Sequence, residues 1–168
     1  MRAYVRSLSF ILCKAVHELY EGVELRIEHP ISKGYYCKLL GLNREVTEQD
    51  VENIKQKMYR TIEQDIPFLM KSVPSDEAIN YFEKKKAYDV SKLLQSLGQF
   101  YTKIYELDGE WDRFLGPLVP STGLNYIMMD CFCKFPTESL RIDWKISSIK
   151  KSCSILSANI LSGMELWA

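Results

Sequence analysis

The stretch Arg113-Phe114-Leu115-Gly116-Pro117-Leu118-Val119-Pro120-Ser121-Thr122-Gly123 decides how the rest of the chain is read. Two prolines and two glycines fix an unusual backbone there, between two runs that read as strands. Loops held this rigidly tend to carry a site. Yet Phe114 and Leu118, both bulky and apolar, stand where a working site would show polar groups. The backbone of a site without its polar side chains is the problem that the sequence poses.

On the N-terminal side of this loop, Phe100 to Leu107 and Trp111 to Leu115 read as a hairpin around the turn Asp108-Gly109. On the other side, Leu124 to Phe135 reads as a long strand. At the start of the chain, Val5, Leu8, Leu12, Ala15, Val16 and Leu19 have the spacing of one buried helix face, so a helix is predicted from Val5 to Tyr20. Beside that face runs a second stripe, Arg6, Phe10, Cys13 and His17, placed to look into a cleft. Gly22 ends the helix. Leu25 and Ile27 then alternate with charged residues as in a half-buried strand, His29-Pro30 breaks it, and Ile31-Ser32-Lys33-Gly34 reads as a turn into a second strand, Tyr35 to Leu39.

Thr47 with Asp50 three residues on is a capping box with a shorter acid, and Val51, Ile54, Met58 and Ile62 carry a helix to about Gln64. Pro67 ends it, Phe68 to Val73 reads as a strand, and Ser75-Asp76-Glu77 opens a helix that buries Ala78, Ile79 and Phe82. Lys84-Lys85-Lys86 is read as the solvated end of that helix rather than an RNA contact. Val90, Leu93, Leu94 and Leu97 mark a further short helix ending at Gly98. Beyond residue 137, Asp143 to Ile149 alternates, and Ile155, Leu156, Ile160 and Leu161 suggest a helix packed on the sheet. These elements predict an α+β fold with an antiparallel sheet: a domain over 1–136 and a divergent tail, 137–168, packed on it or following it.

Composition narrows the function. The 168 residues suit a single domain, and 46% hydrophobic with 26% charged residues is a globular balance. Lys+Arg and Asp+Glu both number 22, so no global field draws the chain onto nucleic acid or an anionic membrane. The five cysteines follow no secretory pattern and read as reduced intracellular thiols, which predicts a cytoplasmic protein. No apolar run approaches the ~20 residues of a membrane helix.

Several stretches together carry a resemblance. They are Ala15-Val16-His17-Glu18-Leu19-Tyr20, Gly34-Tyr35-Tyr36, Asp50-Val51-Glu52, Asp65-Ile66-Pro67 and Gly116-Pro117-Leu118-Val119-Pro120-Ser121-Thr122-Gly123. In this order, over about residues 5 to 135, they resemble the editing domain of threonyl- and alanyl-tRNA synthetases. That family carries H-x-x-x-H on its helix and C-x-G-P-H-V-P-S-T-G in its loop. The resemblance implies a site that hydrolyses wrongly charged tRNA with two helix histidines and the loop cysteine and histidine. Here those positions are Arg6, Phe10, Phe114 and Leu118. None of the four offers zinc a donor, and none can serve as a base at neutral pH, so the family route is excluded at these positions.

The replacements themselves, with Ile27-Glu28-His29, Ser32-Lys33-Gly34-Tyr35-Tyr36-Cys37 and Tyr105-Glu106-Leu107-Asp108-Gly109, resemble the synthetase-like region ahead of the kinase domain in bacterial uridine kinase-like and nucleoside kinase-like proteins. The likeness implies a parent that is an ATP-dependent uridine or nucleoside kinase, whose ATP and magnesium belong to a kinase domain absent from this chain. The chain itself has no G-x-x-x-x-G-K-[ST] run to cradle phosphates.

The expectation is therefore a non-catalytic, degenerate editing-like domain that serves as a binding or regulatory module, with no catalytic residue, metal or cofactor of its own. Its candidate pocket is edged by Arg6, Phe10, Tyr36, Phe114 and Leu118. Arg6 reads either as an anion clamp or as a surface arginine paired with an acid; Phe10, Phe114 and Leu118 either stack on a ligand or fill a dead pocket. Of Tyr35 and Tyr36 only one can face the cleft. The partners implied are a small molecule or an RNA end, and a kinase domain of the same parent. Cys131 and Cys133 read as structural thiols, and His17 and His29, at no family site position, carry no catalytic reading. The competing expectation is a stand-alone aminoacyl-tRNA deacylase that uses other residues, such as Asp112 or Cys13.

Overall fold

The computed structural model describes residues 2–31, 34–124, 131–134 and 139–143. In chain order these form α1 (Arg2–Leu19), β1 (Glu24–Ile31), β2 (Gly34–Leu40), α2 (Glu48–Glu63), β3 (Leu69–Pro74), α3 (Ser75–Lys84), α4 (Tyr88–Leu97), β4 (Tyr101–Leu107), β5 (Glu110–Asp112), a 3-10 turn at Thr122–Leu124, β6 (Cys131–Lys134) and β7 (Ser139–Asp143). The fold is α+β. Every strand pair is antiparallel, in two sheets of order β1-β2-β7-β6 and β3-β4-β5.

Helix α1 buries Leu8, Leu12, Ala15 and Val16 of the face read from its spacing, together with Phe10 and Ile11, while Val5 is half-buried and Leu19, expected on that face, is exposed. This face meets Ile54, Met58 and Ile62 of α2 and Cys37 and Leu39 of β2 in the main core. Helix α2 starts where its capping box places it: the Thr47 hydroxyl accepts from Asp50 N–H at 3.2 Å, and Thr47 N–H donates to the Asp50 carboxylate at 2.8 Å. A second, smaller core joins Val73 of β3, Ala78 and Phe82 of α3, Leu94 of α4 and Ile104 of β4. Gly98 closes α4 in the left-handed conformation, and Asp108 and Gly109 turn β4 into β5 with positive φ.

Three further expectations need correction. Strand β1 does not stop at His29-Pro30 but runs to Ile31, with a register shift between Ile27 and His29. It lies at the sheet edge, where a proline without an N–H leaves no ladder bond unmade on its open side. Leu93 and Leu97 are exposed while Ser91 and Leu94 are buried, so α4 turns a narrower face inward than its leucines suggest. Leu124 sits in the 3-10 turn, and a strand is described only over Cys131–Lys134 of the run read as continuous to Phe135.

Residues Ser139–Asp143, assigned by sequence to the tail, form a strand between β2 and β6. The helix expected around Ile155 to Leu161 lies outside the described residues. So do the side chains of His29, Cys131 and Cys133. No helix among the described residues is long and apolar enough to cross a membrane.

Candidate functional site

The loop from Arg113 to Gly123 is pinned from both ends. Thr122 Oγ1 accepts from Ile66 N–H and donates to Thr61 O, each at 2.8 Å, and Gly123 N–H donates to Asp65 Oδ1 at 2.9 Å. A Cβ at position 123 would collide with that carboxylate, which explains the glycine. Nearer α1, Val119 N–H donates to Ser7 Oγ at 2.9 Å. The loop is thus held against α1 and the end of α2 by polar contacts, of which Val119 to Ser7 and Thr122 to Thr61 are buried.

Within this frame the residues at the resemblance positions make a plug. Phe10 has no exposed surface, and its ring centroid lies 5.9 Å from that of Phe68 and 5.5 Å from that of Phe114. Tyr105 meets Phe114 edge-on at 6.4 Å, and Leu118 packs on the same core. Arg6 has no acid partner among the described residues. Its Nε and Nη2 donate to Pro117 O at 3.1 and 2.9 Å. Gly116, at φ 123°, leaves the room: a Cβ there would lie 3.0 Å from the guanidinium carbon. Four of the five pocket candidates are therefore together, and together they fill the space that they were expected to edge.

Tyr36 is not with them. Tyr35, Cys37 and Leu39 turn to the main core, so the alternation of β2 sends Tyr36 to the other face, where Lys38 Nζ lies 5.8 Å from its ring centroid. The tyrosine on the core side is Tyr35.

Two turns further along α1 the same stripe borders a cavity of about 230 Å³, walled also by β1, α3 and β5. Lys14 ties α1 to the β4–β5 turn, its Nζ 3.2 Å from an Asp108 carboxylate oxygen and 3.3 Å from the Asp108 carbonyl, and this sets β5 beside the helix. His17 Nδ1 is 2.8 Å from Glu110 Oε1, Lys85 Nζ donates to Glu110 Oε2 at 2.9 Å, and Cys13 Sγ lies 3.8 Å from His17 Nε2. On the α3 side Trp111 stacks on Tyr81, centroids 4.7 Å apart, and Trp111 N–H donates to the Tyr81 hydroxyl at 3.0 Å. Lys85 is thus not simply part of a solvated run: it reaches over to this wall.

Charge in the cavity is uneven. Burial raises the Glu110 carboxyl, but the hydrogen bonds from His17 and Lys85 outweigh it and leave it below the usual range. An ionised Glu110 requires the proton on Nδ1 of His17, so in the neutral ring Nε2 is the acceptor facing the Cys13 thiol. Burial, then Asp112 and Glu110, push that thiol well above its ordinary pKa, with Lys85 pulling the other way. Asp112 accepts from Arg113 N–H at 2.6 Å, and burial with Glu110 nearby lifts it to about 6.

Cys13 and Asp112, the residues of the competing expectation, share this cavity. His17, Glu110 and Lys85 were missed as a group. Local signal existed only in the four-residue spacing of Cys13 and His17; Glu110 is distant in sequence. Among the described residues no three His, Cys, Asp or Glu side chains are grouped as metal ligands.

The chain was compared with known proteins. No protein-family model matches it. It is 32% identical over 120 residues to the threonine-tRNA ligase of Aquifex aeolicus, covering 70% of this chain and 19% of that protein. The corresponding enzyme of Burkholderia lata is 36% identical over 121 residues, 70% of this chain and 18% of that protein. That of Natranaerobius thermophilus is 35% identical over 122 residues, 71% and 19% respectively. The chain thus spans less than a fifth of the length of these curated relatives, and about 70% of it is threonyl-tRNA synthetase-like.

Proposed function

We propose that this chain is a degenerate editing-like domain that no longer hydrolyses at the editing-type position and serves as a binding or regulatory module of a uridine kinase-like or nucleoside kinase-like protein. The burial of Phe10 between Phe68 and Phe114 carries this reading. A position closed by aromatic rings admits neither a metal nor the water that ester hydrolysis consumes. The likeness to threonine-tRNA ligases supports the synthetase-like origin, and the wording of Ser32-Lys33-Gly34-Tyr35-Tyr36-Cys37 supports the kinase link.

The test is to incubate the protein with tRNA charged with a wrong amino acid and follow both binding and release of the amino acid. Binding without release is the expected result. Release that persists when Cys13 and Asp112 are replaced but is lost on Arg6→Ala would overturn the closed-site reading. For the kinase link, a G-x-x-x-x-G-K-[ST] run in the same reading frame downstream is expected, and its absence from the parent gene sinks that part.

One observation favours a second reading, a deacylase working from elsewhere: Cys13 and Asp112 face the same cavity beside the closed position. On this reading release of amino acid depends on those two residues.

A further inference from the structure

We propose that Cys13, His17 and Glu110 form a nucleophile, base and orienting carboxylate, and that the cavity they border accepts the acyl group of an ester. This develops the second reading above, resting on its location for the chemistry but not on its substrate. Three observations carry it. The Cys13 Sγ to His17 Nε2 distance of 3.8 Å is within reach for a thiol donor. The 2.8 Å contact from His17 Nδ1 to Glu110 Oε1 sets the tautomer that leaves Nε2 as acceptor. Cys13 and His17 both line a void of about 230 Å³, room for a small acyl group. Glu110 is itself held by Lys85 at 2.9 Å, so the carboxylate has a second anchor besides the ring.

The resting thiol is protonated, because burial and the two neighbouring carboxylates disfavour a thiolate. The proton therefore leaves as the bond forms. Sγ adds to the acyl carbon while His17 Nε2 takes the thiol proton. The tetrahedral adduct collapses, the C–O bond of the ester breaks, and the leaving oxygen receives that proton from His17. A thioester on Cys13 remains. Water then adds to it with His17 again taking a proton, the C–S bond breaks, and the thiol and a carboxylic acid are restored. Glu110 touches no reacting atom and is a positioning residue. The closed position occupied by Arg6, Phe10, Phe114 and Leu118 takes no part.

The probe is p-nitrophenyl acetate on the intact chain, with release of nitrophenolate and the mass of a single acetyl adduct as readouts. Peptide mapping should place the adduct on Cys13, Cys13→Ala should abolish it, and His17→Gln should slow acylation by about 10²-fold, the usual worth of a general base. Nitrogen NMR of the ring should show His17 protonated at Nδ1, and Glu110→Gln should lose that fixed tautomer while the fold, followed by circular dichroism, persists. An adduct on another residue, or acylation unchanged by His17→Gln in a folded variant, overturns the proposal. Acylation of Cys13 by the probe with no release from charged tRNA upholds the thiol chemistry and removes the deacylase reading. Absence of acylation by the folded wild-type chain removes the thiol chemistry and leaves the binding-module reading standing.

Discussion

Arg6 with Phe10, and Cys13 with His17, are two pairs at the same four-residue spacing on one helix, one pair seven residues beyond the other, about 10 Å along the axis. The first pair meets the loop and is closed: rings fill the space, and the guanidinium is spent on a backbone carbonyl. The second meets β5 and stays open: its polar atoms find partners, and a void remains in front of them. Helix and spacing are common to both. What differs is the volume and polarity supplied by the facing segment, Phe114 and Leu118 in one case, Glu110 and Asp112 in the other.

If the closed end is core, Phe10→Ala should cost about 3–5 kcal/mol, and Cys13→Ala, at the rim of a cavity, nearer 1. Urea unfolding of the two variants measures this, and equal losses would break the contrast. The next effect is opposite in sign. Asp112 holds its proton up to about pH 6 in the folded chain, against 3.8 for an ordinary aspartate. Between those values the folded state binds more protons than the unfolded one, so stability falls as pH rises through that window, and the deficit is complete above it. Asp112→Asn should therefore stabilise by about 3 kcal/mol at pH 8 and by almost nothing near pH 3, read from urea unfolding at the two pH values. The smallest effect tests what ties the closed end to its loop. Arg6→Gln removes the grip on Pro117 O, costs about 1 kcal/mol, and should speed exchange of the Val119 amide about fivefold. Unchanged exchange would mean that the Val119 amide is held by Ser7 without help from Arg6.

Much of the scaffold was legible in the sequence because it is encoded locally. Thr47 and Asp50 cap α2 as their spacing implies, Asp108-Gly109 turns the β4–β5 hairpin, and Gly98 ends α4. The run of β1 through Pro30 was not legible, because whether a proline breaks a strand depends on which side of the sheet it faces, a property of the pairing rather than of the residue. The same holds for Tyr35 and Tyr36: alternation says that the two diverge, but only the core's position says which turns inward. At the closed end the identities of Arg6, Phe10, Phe114 and Leu118 were enough to exclude the histidine and cysteine chemistry, and the geometry added that they fill the space rather than edge it. The open end could not be assembled from sequence, since Glu110 reaches His17 only through the packing of β5 against α1.

The placement of β7 bears on the order in which this protein comes into being. One edge of β2 is occupied early by its neighbour β1, but its other edge finds a partner only in Ser139–Asp143, more than half the chain later. During synthesis that edge stays an open template for mispairing until the ribosome has passed Asp143. The late strand is therefore a seal as much as a structural member, and a nascent chain stalled before it carries an adhesive edge that the finished protein does not.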